Sequence, residues 1–166
     1  MRAGVALGSN LGDRLGMLRQ ARDQIGALPD VVTPILESSV YETDPEECEE
    51  DAPKFLNAAI EFEYSGSPEN LLGELAKIER SLGRPASRAR NKSRLIDLDL
   101  LYLGPLEIDT PELQLPHPRL TRREFVLRPL ADIRPGLILP GQTEPVNALL
   151  ESTVKSGSMV HFATEW

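Results

Sequence analysis

The chain is predicted to fold as an α+β sandwich, an antiparallel sheet with two helices on one face and the other face left open for a site. Three observations lead there. Period-two alternation marks strands at Phe55 to Tyr64 and at Arg94 to Tyr102. Apolar residues at three- and four-residue spacings mark two amphipathic helices. The elements follow in the order strand, helix, strand, strand, helix, strand, with no internal repeat and no linker between them.

Arg2 to Leu7 reads as the first strand, and Gly8-Ser9-Asn10-Leu11-Gly12-Asp13 as a turn in which Asn10 or Asp13 caps a helix. Leu15, Leu18, Ala21, Ile25 and Leu28 form that helix's stripe, and Pro29 stops it. Val31 to Tyr41 is β-branched and reads as a second strand, with Pro34 implying an edge position or a bulge. In the third strand Leu56, Ala58, Ile60, Phe62 and Tyr64 share one face, while Phe55, Asn57, Ala59, Glu61 and Glu63 share the other. Ser67 is the N-cap and Pro68 the first residue of the second helix, whose stripe is Leu71, Leu75, Ile78 and Leu82 and whose C-terminal cap is Gly83. Gly104-Pro105 turns the chain into a short return strand at Leu106 to Ile108. A short helix around Phe125 to Ile133 contains Pro129, and a last helix near Val146 to Val154 precedes a loose terminal segment.

At 166 residues, 40% hydrophobic and 27% charged, the sequence fits one domain over 1–166 with a complete core. No apolar run approaches the roughly 18 to 20 residues that span a bilayer, and the first residues turn polar too early for a signal peptide. Cys48 is the single cysteine and reads as a loop thiol, in keeping with a reducing compartment. A cytoplasmic protein with no membrane and no obligate protein partner is expected. The net charge of −8 speaks against nucleic acid. Charge is unevenly distributed, however. Seven acidic residues and no basic one lie between Glu42 and Asp51, a run read as solvated surface; Arg84, Arg88, Arg90, Lys92 and Arg94 form an opposite run with no acid. A positive field within an acidic protein suits a small polyanion. Mutual repulsion among these cations predicts a loop that orders on ligand binding.

Immediately after that loop, Ile96, Leu98, Leu100 and Tyr102 alternate with Asp97, Asp99 and Leu101. Asp97 and Asp99 therefore share a strand face, their Cα atoms roughly 6.5 to 7 Å apart, with the opposite face anchored in the core. Two carboxylates so placed can converge on Mg²⁺, and two such ions about 3.5 to 4 Å apart can clamp a phosphate chain while arginines neutralise the transferred group. The sequence contains no Gly-rich phosphate loop of the P-loop or kinase type. Phosphate recognition must then rest on side-chain cations and metal. His117, held between Pro116 and Pro118, can donate to a phosphate or ribose oxygen, whereas His161 has no such setting.

Four segments together resemble one family: Gly8-Ser9-Asn10-Leu11-Gly12; Phe55-Leu56-Asn57-Ala58; Gly83-Arg84 leading to Arg94-Leu95-Ile96-Asp97-Leu98-Asp99-Leu100-Leu101; and Leu115-Pro116-His117 leading to Phe125-Val126-Leu127-Arg128-Pro129-Leu130. They are similar to 6-hydroxymethyl-7,8-dihydropterin pyrophosphokinase, the folate-pathway enzyme that moves the terminal pyrophosphate of ATP to a pterin alcohol and releases AMP. The likeness runs from about Val5 to Pro140. It implies a ferredoxin-like fold, ATP as co-substrate and two Mg²⁺ held by Asp97 and Asp99. It further implies that Arg84 and Arg94 act on the phosphate chain and that one aspartate takes the hydroxyl proton. Thr43, Asp44, Phe55, Asn57 and Phe125 match pterin positions; Glu79, His117 and Arg123 match positions on the nucleotide side. A flat polar heterocycle wants an aromatic face and an amide that both donates and accepts, which Phe125 and Asn57 supply.

The chain departs from the family where Asn91-Lys92-Ser93 replaces a common Trp-Gly-Pro, where Ala86 replaces an arginine and where Pro118 replaces a tyrosine. Arg88, Arg90 and Lys92 are available as substitute cations, so altered nucleotide affinity is expected rather than lost chemistry. Two other readings of the same motifs are a Mg-dependent nucleotidyltransferase and a pterin- or ATP-binding relative without turnover.

Overall fold

The computed structural model describes residues 1–46, 51–84, 93–155 and 157–166. Cys48, three of the seven acidic residues (Glu47, Glu49 and Glu50), and the loop cations Arg88, Arg90 and Lys92 lie outside the described residues, as does the expected ordering of the basic loop.

The strands are β1 (Arg2–Ser9), β2 (Val31–Glu37), β3 (Val40–Thr43), β4 (Phe55–Tyr64), β5 (Asp97–Leu103), β6 (Ile108–Asp109), β7 (Gln114–Leu115) and β8 (Met159–Ala163). The helices are α1 (Arg14–Gly26), α2 (Pro68–Ser81), α3 (Glu124–Ile133) and α4 (Val146–Ser152), with a 3₁₀ turn at Leu120–Arg122. An antiparallel sheet runs β5-β1-β4-β3-β8, and β2 pairs with the far half of β4. β6 and β7 form a separate small hairpin. The α+β class and the two expected long helices are present, capped by Asp13 (Oδ1 accepts from Gly16 N, 3.0 Å) and by Ser67 (Oγ accepts from Asn70 N, 3.2 Å). Among the described residues no helix is long and apolar enough to cross a membrane.

Pro34 breaks the second strand as its chemistry demands. Pairing with β4 slips between Val32 and Leu36, and the chain resumes as β3 only after Ser38. Ser38 closes the gap: its N–H donates to Ala59 O (2.9 Å) and its Oγ accepts from Ala59 N (2.9 Å). A single ten-residue strand, β4, thus carries two short neighbours along one edge.

On one face α1 and α2 bury Leu18, Ala21, Ile25, Leu71, Leu75 and Ile78 against Val5, Leu7, Leu56, Ile60 and Leu98. The expected open face is open over only part of the sheet. A second core of Leu101, Tyr102, Leu120, Val126, Leu127, Leu130, Val146 and Leu149 covers the rest, because α3 and α4 pack there. Both faces of β4 are accordingly buried from Leu56 to Phe62. Pro129 sits inside α3, as expected of a short helix.

Tyr102 also departs from the alternation. Val5 pairs with Leu100 but Gly4 pairs with Tyr102, so Leu101 is an extra, bulged residue and both it and Tyr102 turn to the second core. The Tyr102 ring lies across Gly4, where any side chain would collide with it. Its hydroxyl donates to Oε2 of Glu61 (2.6 Å), which is 2% exposed, while Arg134 just beyond α3 donates to Oε1 (2.7 Å). This buried bridge ties the end of α3 to β4 and β5.

The terminal segment is ordered rather than loose. β3 would otherwise be an unpaired edge, and β8 completes it. Trp166 is buried, donating Nε1–H to Ser38 O (2.8 Å) with the Arg22 guanidinium over its ring. Such pairing across more than a hundred residues leaves no periodic signal.

Removing the Tyr102 hydroxyl leaves one carboxylate oxygen of a buried Glu61 short of a donor. Tyr102→Phe is expected to destabilise the protein by about 1–3 kcal/mol in chemical denaturation; an unchanged unfolding midpoint would contradict the bridge's role.

Candidate active site

Where α3 stops covering the second face, the ends of β4, β1 and β5 lie side by side. Gly8 pairs with Asn57 on one side and Asp97 on the other, and Ala6 likewise separates Ala59 from Asp99. Those small central residues leave a floor between the Asn57 amide and the carboxylate pair. Two clefts meet over it. The first is walled by Thr43, Asp44, Phe55, Asn57, Phe125 and Val126; the second by Glu79, Arg84, Leu98, Gln114, His117 and Arg119. Arg94, Asp97, Asp99 and Arg123 line both. Each site residue expected from the sequence therefore lines at least one of two adjoining clefts.

Asn57 is buried and donates Nδ2–H to Thr43 Oγ1 (2.7 Å). That bond orients the amide and leaves Oδ1 and the second N–H for a ligand. Phe55 and Phe125 supply aromatic surface to the same cleft, and the Arg123 guanidinium lies 5.3 Å from the Phe125 ring centre.

Asp97 begins β5 and is gripped from two sides, Arg84 Nη1 at 2.7 Å from Oδ1 and Arg94 Nη1 at 2.8 Å from Oδ2. Arg84 follows α2 through Gly83, whose φ of +94° suits the residue that ends a helix. It also pairs with Glu79. Glu79 is buried in the last turns of α2, where Oε1 accepts from Leu98 N (2.8 Å). Burial pushes its carboxyl above the usual range, with the Leu98 N–H and Arg84 opposing. Its contacts hold Arg84 and β5 in place beneath the second cleft.

Among the described residues Asp99 has no such clamp; Arg123 stands 4.0 Å away. Burial, and then the neighbouring Asp97 charge, push its carboxyl up to about 6, against the pull of Arg123, Arg94 and Arg84. Among the described residues no three acidic, histidine or cysteine side chains gather as a complete metal cage. Two carboxylates beside a cation-lined cleft nonetheless fit a hard divalent cation such as Mg²⁺, which could take its remaining oxygen ligands from water or a bound anion.

The sequence left the cap of α1 open between Asn10 and Asp13. The cap is Asp13; Asn10, 2% exposed, accepts from Arg94 N through Oδ1 (2.7 Å) and donates Nδ2–H to Pro53 O and Ser93 Oγ (both 3.1 Å). It thereby anchors the backbone that delivers Arg94. The Gly-Ser-Asn-Leu-Gly segment was the available signal, but only the folded chain brings Asn10 to a residue 84 positions away. Glu46, within the acidic run, and Arg119, outside both charged runs, line the first and second clefts and had no sequence signal of their own.

His117 is set by the β5 bulge, its N–H donating to Leu101 O (2.8 Å). Nδ1 accepts from Arg119 N (3.2 Å), so the neutral ring carries its proton on Nε2. Burial, reinforced by Arg123 and Arg119, depresses its pKa from 6.5 to about 4. A depressed folded-state value means the neutral ring stabilises the fold: that contribution is complete above pH 6.5 and is lost as pH falls towards 4. Titration by ¹H–¹⁵N NMR is expected to show His117 neutral down to about pH 5, and an ordinary midpoint near 6.5 would contradict the burial.

The family model for 7,8-dihydro-6-hydroxymethylpterin-pyrophosphokinase matches residues 4–135. The 2-amino-4-hydroxy-6-hydroxymethyldihydropteridine pyrophosphokinase of Bacillus subtilis is 45% identical over 129 residues, covering 78% of this chain and 75% of its own length. Its namesake in Methylorubrum extorquens is 38% identical over 142 residues, covering 86% and 88%. The crystal structure of an HPPK-DHPS in complex with substrates aligns over 91% of this chain with a TM-score of 0.70 and 13% identity. This chain spans 45% of that one, and the likeness speaks to fold. With its family model matched over most of its length, the chain belongs to the 7,8-dihydro-6-hydroxymethylpterin-pyrophosphokinase family.

Proposed function

We propose that this protein transfers the terminal diphosphate of ATP to 6-hydroxymethyl-7,8-dihydropterin and releases AMP, acting over 1–166 as one catalytic domain. The observation that carries the reading is the meeting of the two clefts at Arg94, Asp97, Asp99 and Arg123. An aromatic, amide-bearing cleft suits the pterin and a cation-lined cleft suits the triphosphate, so the reacting atoms come together over the carboxylate pair.

In this reading Asn57 reads the ring edge while Phe55 and Phe125 contact its faces. Thr43 orients Asn57, and Thr43 and Asp44 form the rim. Arg84, Arg94, Arg123 and His117 hold the triphosphate, with Glu79 acting through Arg84. Asp97 and Asp99 would hold two Mg²⁺, which when bound supply charge neutralisation along the phosphates. The pterin hydroxyl oxygen bonds to the β-phosphorus, the bond from that phosphorus to the bridging oxygen of the α-phosphate breaks, and AMP departs; the hydroxyl proton passes to the carboxylate pair. Charge growing on the leaving α-phosphate and the transferred group is met by guanidinium groups already fixed in place. A cytoplasmic setting, with ATP and Mg²⁺ at hand, fits this activity.

Incubation with Mg-ATP and the pterin alcohol is expected to yield AMP and the pterin diphosphate. ADP as the sole nucleotide product would overturn the assignment, and release of inorganic pyrophosphate with AMP transfer would indicate a nucleotidyltransferase. Arg94→Ala is expected to lower kcat by about 10² to 10³ with the fold intact, and near-normal turnover would remove Arg94 from the role given it.

A further inference from the structure

The C-terminal strand lies beyond residues 4–135, yet it pairs with β3 at Thr43, a wall of the first cleft. We propose that β8 is a positioning element for the pterin, acting through a latch between Ser158 and Asp44. The inference rests on the functional reading above and concerns how its ring cleft is held.

β3 is four residues long and carries Thr43, the residue that orients Asn57. On its inner side Thr43 pairs with Phe55 of β4; on its outer side Met159 of β8 is its partner. One residue beyond the strand the pairing continues by other means. Asp44 N–H donates to Ser158 O (3.1 Å), and Ser158 N–H donates to Asp44 Oδ2 (2.8 Å), a side-chain oxygen standing in for the backbone carbonyl. Lys54 holds the other carboxylate oxygen at 3.0 Å. Gly157 has a φ of +72°, and a side chain there would press to 3.1 Å from Asp44 Cβ and Oδ2. The turn therefore seats directly on Asp44.

The consequence reaches the ligand through one short chain of contacts. Ser158 fixes Asp44, Asp44 directly follows the last residue of β3, and β3 places Thr43 Oγ1 where it receives the Asn57 amide. With Nδ2 committed in this way, Asn57 Oδ1 is a fixed acceptor at the cleft; a methyl built on neighbouring Gly8 would stand 3.1 Å from it. Loosening the latch frees the amide to rotate, and the loss falls on ring recognition. The triphosphate cleft is held separately, by Glu79, Asn10 and the β5 bulge.

The test compares wild type, Gly157→Ala and Ser158→Pro, which removes the N–H donated to Asp44 Oδ2 from a residue outside both clefts, for steady-state kinetics with each substrate varied in turn, alongside thermal unfolding. Gly157 lies outside both clefts, so its effect on the pterin passes through the latch. Wild-type production of AMP and pterin diphosphate establishes the activity independently of the variants. Both variants are expected to raise KM for the pterin about 10-fold, with KM for Mg-ATP and kcat within about 2-fold, the loss of one hydrogen bond to a charged acceptor. An unchanged pterin KM in folded Gly157→Ala, or an equal rise in both KM values, would overturn the proposal. If Gly157→Ala does not fold, Ser158→Pro decides by the same split.

Discussion

The site depends on Asp97 being held between two arginines at the first residue of β5. A carboxylate at a strand end is ordinarily free to turn into solvent. Here Arg84 comes from the end of α2, Arg94 comes from the segment anchored by Asn10, and each takes one oxygen. Glu79 completes the arrangement from below by binding both Arg84 and the Leu98 N–H. The packing of α2 and of the turn that holds Asn10 is thereby converted into a fixed pattern of charge. Asp99, two residues on, shares the strand face, and its burial, followed by the neighbouring Asp97 charge, raises its affinity for a proton.

The sheet supplies the rest by being covered unequally. α1 and α2 seal one face, and α3 and α4 seal most of the other. What remains exposed is the stretch where β1 presents Gly8 and Ala6, too small to fill the space above them. Phe125, in the first turn of α3, then becomes a wall of the opening, and the Glu61–Tyr102–Arg134 bridge at the far end of the helix ties it to the sheet. A buried polar bridge of this kind fixes one docking arrangement for the helix, whereas apolar contacts alone tolerate several.

Local chemistry was legible wherever a residue's role is settled by its near neighbours. Ser67 and Pro68 start α2, Pro34 interrupts β2, Gly83 ends a helix, and Asp97 and Asp99 share a strand face, all as read from spacing. Tyr102 was placed on the wrong face because a bulge adds one residue at Leu101 and inverts everything after it, and a bulge has no composition of its own. β8 was read as loose because its reason to form is the vacant edge of β3, more than a hundred residues earlier. The cap stayed open between Asn10 and Asp13 because the partner that claims Asn10, the Arg94 backbone, is equally remote in sequence.

By itself the sequence determined the α+β class, the strands and helices with strong periodicity, the carboxylate pair on one face and the run of cations beside it, since each follows from interactions within a few residues. The tertiary structure alone decided that Asp97 is clamped by Arg84 and Arg94, that α3 and α4 close most of the second face, and that the last strand pairs with β3 beside the first cleft. Those outcomes depend on contacts between segments far apart along the chain, whose meeting is set by how the whole sheet buries its two faces rather than by any local pattern.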